Sequence, residues 1–258
     1  WNGSGDQQLQ LDLVVAGGAL QVRSLDIRRA RQGWTRVLEN AGFEYTVVEG
    51  LRRISNQQLA PLRELGVELT SDIVDRYKWD VFWDAPLDLR REVRGGNPPP
   101  PEGVAHQPGL PRDPSEVRRG RLDYRLDRCA VGADGARVRL RFSEIGLGSF
   151  RGDFVVTLYV GTNLIRTEVE AATSLPSVAY KYDVGLTGLA LGDDSRVYWR
   201  DTAGNLQSYG LDGPVNENPA VIRAANRLVV AENTSVSIAA FPPPHTFFWA
   251  REVEINVG

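Results

Sequence analysis

The stretch Arg121–Phe142, RLDYRLDRCAVGADGARVRLRF, decides the fold class. Leu122, Tyr124 and Leu126 alternate with charged residues. After Ala133-Asp134-Gly135, the run Val138, Leu140 and Phe142 alternates with Arg137, Arg139 and Arg141. A period of two marks a half-buried strand, and glycine supplies the positive φ that a tight turn requires. A three-residue loop ending at Gly135 predicts that the even-numbered residues of both strands share the buried face, with Asp127 across from Arg141. The arginine row then reads as an outer, solvated face with cross-strand ion pairs rather than as an anion site.

Downstream, Phe154–Val160 and Leu164–Ala172 form the next pair, joined by Gly161-Thr162-Asn163. Val178–Val184 is a strand with Tyr180 and Tyr182 on one face and Lys181 on the other. Arg196–Arg200 and Leu206–Tyr209 flank a turn at Asp201–Asn205. A turn-rich segment, Asp212–Pro219, leads to strands at Arg227–Ala231, Val236–Phe241 and Phe247–Val257. Upstream, residues 1–7 read as a frayed start, Leu9–Val15 is a strand ended by Gly17-Gly18, and Leu20–Ile27 continues as a second.

Residues 25–41 carry two readings. Ile27, Ala30, Trp34, Val37, Leu38 and Ala41 sit at helical spacing with Gly42 as a stop. The rival reading places a turn at Arg31-Gln32-Gly33 and begins a strand at Trp34. Gly33 inside a helix would cost about 1 kcal/mol against alanine, and the surrounding chain is β, so the turn is preferred. Phe43–Val48 follows as a strand. Ser55–Leu65 starts like a capped helix, with Gln58 three residues after Ser55, and Pro61 limits it to a short helix or a turn or two. Val67–Leu69 reads as a short strand.

Strands recurring every 8 to 12 residues or so between turn signals predict an all-β fold, a large antiparallel β-sandwich with one or two short helices. The 258 residues suffice for a single domain with a substantial core, interrupted by the proline- and glycine-rich loop 94–120. A net charge of -3 argues against a general nucleic-acid surface. Nearly every cation is arginine, Lys78 and Lys181 being the only lysines. One cysteine, Cys129, and two histidines, His106 and His245, leave too few soft ligands for a zinc site, so neither metal nor cofactor is expected.

The chain holds no methionine and no apolar run of the roughly 18 residues a membrane helix needs. Either a removed leader or a cut from a longer chain would account for the missing start residue, and the first predicts a secreted or periplasmic protein with no membrane partner. The last strand reaches Asn256-Val257-Gly258 without a polar tail, which predicts a further domain or chain beyond Gly258. GxSxG, HExxH, CxxC and a phosphate-binding glycine loop are all absent, which removes several enzyme classes.

Two stretches carry candidate chemistry. In Arg76–Trp83, RYKWDVFW, an alternating strand would place Tyr77, Trp79, Val81 and Trp83 on one face, as core or as a platform for sugar rings. In Ser235–Glu252, SVSIAAFPPPHTFFWARE, the prolines Pro242–Pro244 must leave the hydrogen-bonded ladder and would hold His245 at a strand end, ahead of Trp249, Arg251 and Glu252.

The segment 150–186, FRGDFVVTLYVGTNLIRTEVEAATSLPSVAYKYDVGL, followed by a hairpin and FPPPHTFFWARE, resembles the large β-sandwiches of carbohydrate-active proteins. The galactose-mutarotase-like folds and the sandwich domains of polysaccharide lyases are the nearest group, over residues 121–258 and by texture. The resemblance implies a carbohydrate partner and lyase, hydrolase or epimerase chemistry. His245 would carry the proton. Arg251 and Arg200 would neutralise a uronate or orient a hydroxyl, and Tyr180, Tyr182, Glu252 and Asp183 are further candidates. Trp79, Trp83, Trp249 and His106 would contact substrate. The second expectation is a noncatalytic sandwich module that binds glycan or packs against a catalytic partner.

Overall fold

The computed structural model describes residues 1–51, 56–76, 118–124, 129–189, 191–192, 194–211 and 222–243. Two antiparallel sheets make up its β structure. The hairpin β1 (Gln7–Ala16) and β2 (Ala19–Arg29) closes through Gly17 and Gly18, both at positive φ as a two-residue turn of this kind requires. The chain then turns at residues 30–34 and enters β3 (Thr35–Leu51), seventeen residues long. The helical reading of 25–41 therefore fails and the turn reading holds, with β3 starting one residue after Trp34.

Strand β3 organises the nine-stranded sheet. Its first half pairs with β2, and its second half lies between β4 (Arg118–Asp123) and β9 (Val178–Thr187). Gly42 does not stop anything. A Cβ there would sit 2.7 Å from the Thr187 Oγ1, so glycine admits the close approach of β9. The other strands of this sheet are β5 (Cys129–Asp134), β6 (Arg137–Leu147), β7 (Phe150–Tyr159) and β8 (Ile165–Ala172). The smaller sheet runs β11 (Leu206–Gly210), β10 (Arg196–Arg200), β12 (Val229–Glu232), β13 (Ser237–Ala240).

Phe154 of β7 is the centre of the core and fully buried. The rings of Phe43, Tyr45, Tyr124 and Phe142 surround it at centroid distances of 5.3 to 6.3 Å, two of them edge-on. A second cluster, Val22, Leu25, Val37, Leu38 and Ala41, receives Leu186, Leu189, Val236 and Ile238. Through Val236 and Ile238 the smaller sheet is fastened to the larger one. The fold is thus all-β and sandwich-like, as the alternation predicts.

The decisive hairpin forms with a different register. Asp134 pairs with Arg137 across a two-residue turn at Gly135-Ala136, not a three-residue one, and Arg141 lies opposite Ala130. Asp127 lies outside the described residues. The three-residue reading was needed to keep arginines from facing leucines. In fact the strand before the turn is Cys129–Asp134, whose Ala130 and Gly132 face Arg141 and Arg139 without conflict. The earlier segment belongs to β4, which pairs with β3 and with the far end of β6. The arginine row is solvated and cross-paired as expected: Arg141 bonds Asp153 and Glu170, and Arg139 bonds Glu170 at 2.8 Å.

Helix α1 (Asn56–Glu64) is the short helix expected there, with Pro61 inside it, and Ser55 lies outside the described residues. Two smaller expectations need correction. Residues 67–70 form no strand; they lead into α2 (Ser71–Arg76). The start of the chain is pinned: Gly3 is buried, the Trp1 indole N–H donates to the Thr162 carbonyl at 3.0 Å, and the Gly161 N–H donates to the Asn2 carbonyl at 2.8 Å. A frayed start is incompatible with those contacts.

Candidate functional site

Docking of the first residues against the β7–β8 turn leaves an open cleft where Trp1 and Asn2 pair with the start of β1. Trp1, Asn2, Gln8, Leu9, Gln10, Leu11, Trp34 and Leu158 line it. Each wall has a local cause. Asn2 forms a bridge with Gln8, and Gly3 fits only because a side chain there would collide with Asn163 and Leu9. Asn163 in turn donates to the Gln7 amide oxygen at 2.6 Å and accepts from the Ser4 N–H at 3.0 Å.

On the opposite wall the 30–34 turn delivers Trp34, 43% exposed, beneath Arg28. The Arg28 guanidinium lies 4.6 Å from the centre of the Trp34 ring, a cation–π contact. The same guanidinium donates to the Gln8 Oε1 at 2.7 Å, from the position directly across the β1–β2 ladder. Gln8 Nε2 donates on to Asn2 Oδ1 at 3.4 Å. The Gln8 amide and the Trp34 ring are thus oriented by one arginine. Two indoles with amide groups between them place aromatic rings beside both hydrogen-bond donors and acceptors.

No protein-family model matches the chain, and neither a curated protein nor a solved structure matches it.

Of the site residues expected from the sequence, Trp79, Trp83, His106, His245, Trp249, Arg251 and Glu252 lie outside the described residues. The structure brings Tyr180 and Tyr182 together on β9, ring centroids 6.4 Å apart, with Phe150 edge-on to Tyr180 at 5.1 Å. Asp183 points to the opposite face of β9 and accepts from the Thr46 hydroxyl at 3.5 Å. Arg200 belongs to the other sheet and donates to the Gly204 carbonyl at 3.0 Å, bracing the β10–β11 turn. In that turn the Asp201 carboxyl is held below the usual carboxylate range, first by the Gln207 side chain and then by the Asn205 N–H.

Sequence reasoning missed two buried carboxylates, Asp26, which is bonded to Ser24 and Arg36, and Glu49. Glu49 lies on the interior face of β3 with Tyr45 and Val47 and is 1% exposed. It accepts the Ser149 N–H at 3.0 Å and the Ser149 hydroxyl at 2.5 Å, and Arg118 stands 3.6 Å away. Gly148, at φ +60°, makes this possible, since a Cβ there would lie 3.1 Å from the carboxylate. The Ser149 hydroxyl is committed to Glu49, and at 1% exposure the carboxylate is closed to substrate. The pair is therefore a clasp between β3 and the β6–β7 turn. Its only sequence signal is an acid at an interior position of TVVEGL.

Two core hydroxyls are shifted by burial. Tyr45 is pushed up to about 12 by desolvation, which its hydrogen bond to Thr167 at 2.7 Å partly opposes. Tyr124 is raised further by the same cause. Among the described residues no group of three metal-ligating side chains converges, and no helix is long and apolar enough to cross a membrane.

Proposed function

We propose that this chain is a noncatalytic β-sandwich module that binds glycan in the cleft between Trp1 and Trp34. The observation that carries the reading is the oriented pair of the Trp34 ring and the Gln8 amide, both held by Arg28. Indole faces stack on the C–H faces of a sugar ring, and neighbouring amides bond its hydroxyls from fixed directions. Little order has to be gained on binding, because the cleft is built from the start of a strand and a hydrogen-bonded turn. The resemblance of residues 121–258 to carbohydrate-active sandwiches, and an extracytoplasmic location, agree with this reading as proposals.

The test is a glycan panel screened with the full chain, followed by calorimetric titration of the best ligand. Trp34→Ala is expected to weaken binding about tenfold or more, the scale of one aromatic contact. A chain that binds no glycan, or one whose affinity ignores Trp34→Ala, overturns the proposal.

A further inference from the structure

The cleft between Trp1 and Trp34 holds a chain of hydrogen bonds that runs in one direction and starts at a cation. Arg28 carries donors only, so the Gln8 oxygen must be the atom that faces it. The 2.7 Å bond from Arg28 Nε thus fixes the Gln8 amide with Nε2 turned away. Gln8 Nε2 then donates to Asn2 Oδ1 at 3.4 Å, which turns the Asn2 amide the same way. Both amide oxygens are thereby engaged as acceptors. What the chain leaves over is N–H: the second hydrogen on Gln8 Nε2 and the pair on Asn2 Nδ2. Both amides line the cleft beside the two indoles. Donors polarised by a cation at the head of their chain are strengthened, and their best acceptors are charged oxygens.

The turn that delivers Trp34 adds charge of the same sign. Residues 27–36, IRRARQGWTR, hold four arginines and no acid. Arg36 is paired with Asp26 and Glu39. Arg29 and Arg31 are exposed, and a bond from the Gln32 N–H to the Arg29 carbonyl at 2.8 Å closes the turn that carries Arg31. Asp6, whose carbonyl accepts from the Ala30 N–H at 3.1 Å, offsets part of this charge. The remainder is a positive field beside the wall formed by Trp34, which raises the local concentration of anions.

We propose, resting on the glycan reading of this cleft, that the saccharide bound there carries an anionic substituent, a carboxylate or a sulfate. Its oxygens accept from Gln8 Nε2 and Asn2 Nδ2 while a sugar ring stacks on Trp34. Neutral hydroxyls meet the same donors but gain less from the arginine behind them. Arg28 is then a positioning residue that sets specificity through Gln8, holding the amide in the orientation that offers N–H.

Calorimetric titration of the full chain separates this proposal from the glycan reading itself. The probes are a galacturonate oligosaccharide and its methyl ester, and a sulfated galactan oligosaccharide and its desulfated form. In one pair or both, the charged member is expected to bind about tenfold tighter or more, the scale of one charge-assisted hydrogen bond. The pair that discriminates tells carboxylate from sulfate, and the advantage should shrink as salt is raised. Gln8→Glu keeps an oxygen for Arg28 but replaces the offered N–H by a carboxylate, and should abolish the preference. Arg28→Gln frees the Gln8 amide to turn and should reduce it, with circular dichroism confirming that both variants are folded. Charged and neutral members bound equally overturn the proposal and leave the glycan reading standing. A chain that binds no saccharide of either kind overturns both. A preference for the charged member that survives Gln8→Glu and Arg28→Gln overturns the role of the amide chain.

Discussion

The Trp1–Trp34 cleft and the Tyr180–Tyr182 strip both expose aromatic rings, yet their surroundings differ. In the cleft, amides and an arginine converge on the rings through bonds such as Arg28 to Gln8. On the strip, the ring neighbours are Phe150 and the other tyrosine, and the charged residues Lys181 and Asp183 lie on the reverse face of β9. Aromatic exposure alone therefore does not define a site. Converging polar groups suit a small polar ligand, whereas rings that pack chiefly on one another suit cross-strand packing.

The comparison breaks most completely if the core that supports both regions is removed. Phe154→Ala empties the centre of a five-ring cluster and should cost about 3–5 kcal/mol. Urea unfolding should show the loss, and glycan binding should fall with the folded fraction. An unchanged urea midpoint would contradict the place of Phe154 at the centre of the core.

Glu49→Gln sharpens it next. Glu49 lies directly across from Tyr180 in the β3–β9 register and clasps Ser149, next to Phe150. The substitution removes charge-assisted bonds at a buried site and should destabilise the fold by about 1–3 kcal/mol. Hydrogen exchange should rise along β9 and the β6–β7 turn more than along β1. Uniform acceleration would contradict a local clasp.

A smaller, graded effect is expected at alkaline pH. Unfolded, Tyr45 ionises near the ordinary value of about 10; folded, it keeps its proton to about 12 because it is buried. The unfolded chain thus releases the proton first. Stability from Tyr45 is complete below pH 10 and falls as pH rises from about 10 to about 12. Tyr124, raised by burial, acts in the same direction. Urea midpoints measured across this window should decline, and Tyr45→Phe should flatten the decline. A midpoint independent of pH there would contradict the burial of these hydroxyls.

Much of the fold was legible because β alternation is local. The β7–β8, β9 and β10–β11 segments follow directly from period two and turn residues. The 25–41 region resolved on the cost of Gly33. What was not legible depends on contacts distant in sequence. The register at Gly135 required knowing that Leu122 pairs with Leu147 instead of continuing into Cys129. The cleft required the docking of Trp1 on Thr162, 161 residues away, and Glu49 required Ser149, 100 residues on. Tyr180 and Tyr182 were legible as a pair on one face. Their place beside β3 was not, because strand order is not written in a strand's own alternation.

The most direct test is glycan titration of two variants side by side, Trp34→Ala and Tyr182→Lys. Trp34→Ala should weaken glycan binding about tenfold, whereas Tyr182→Lys should leave glycan affinity unchanged. Loss of glycan binding in Tyr182→Lys with full binding in Trp34→Ala would contradict the assignment of the ligand to the Trp1–Trp34 cleft.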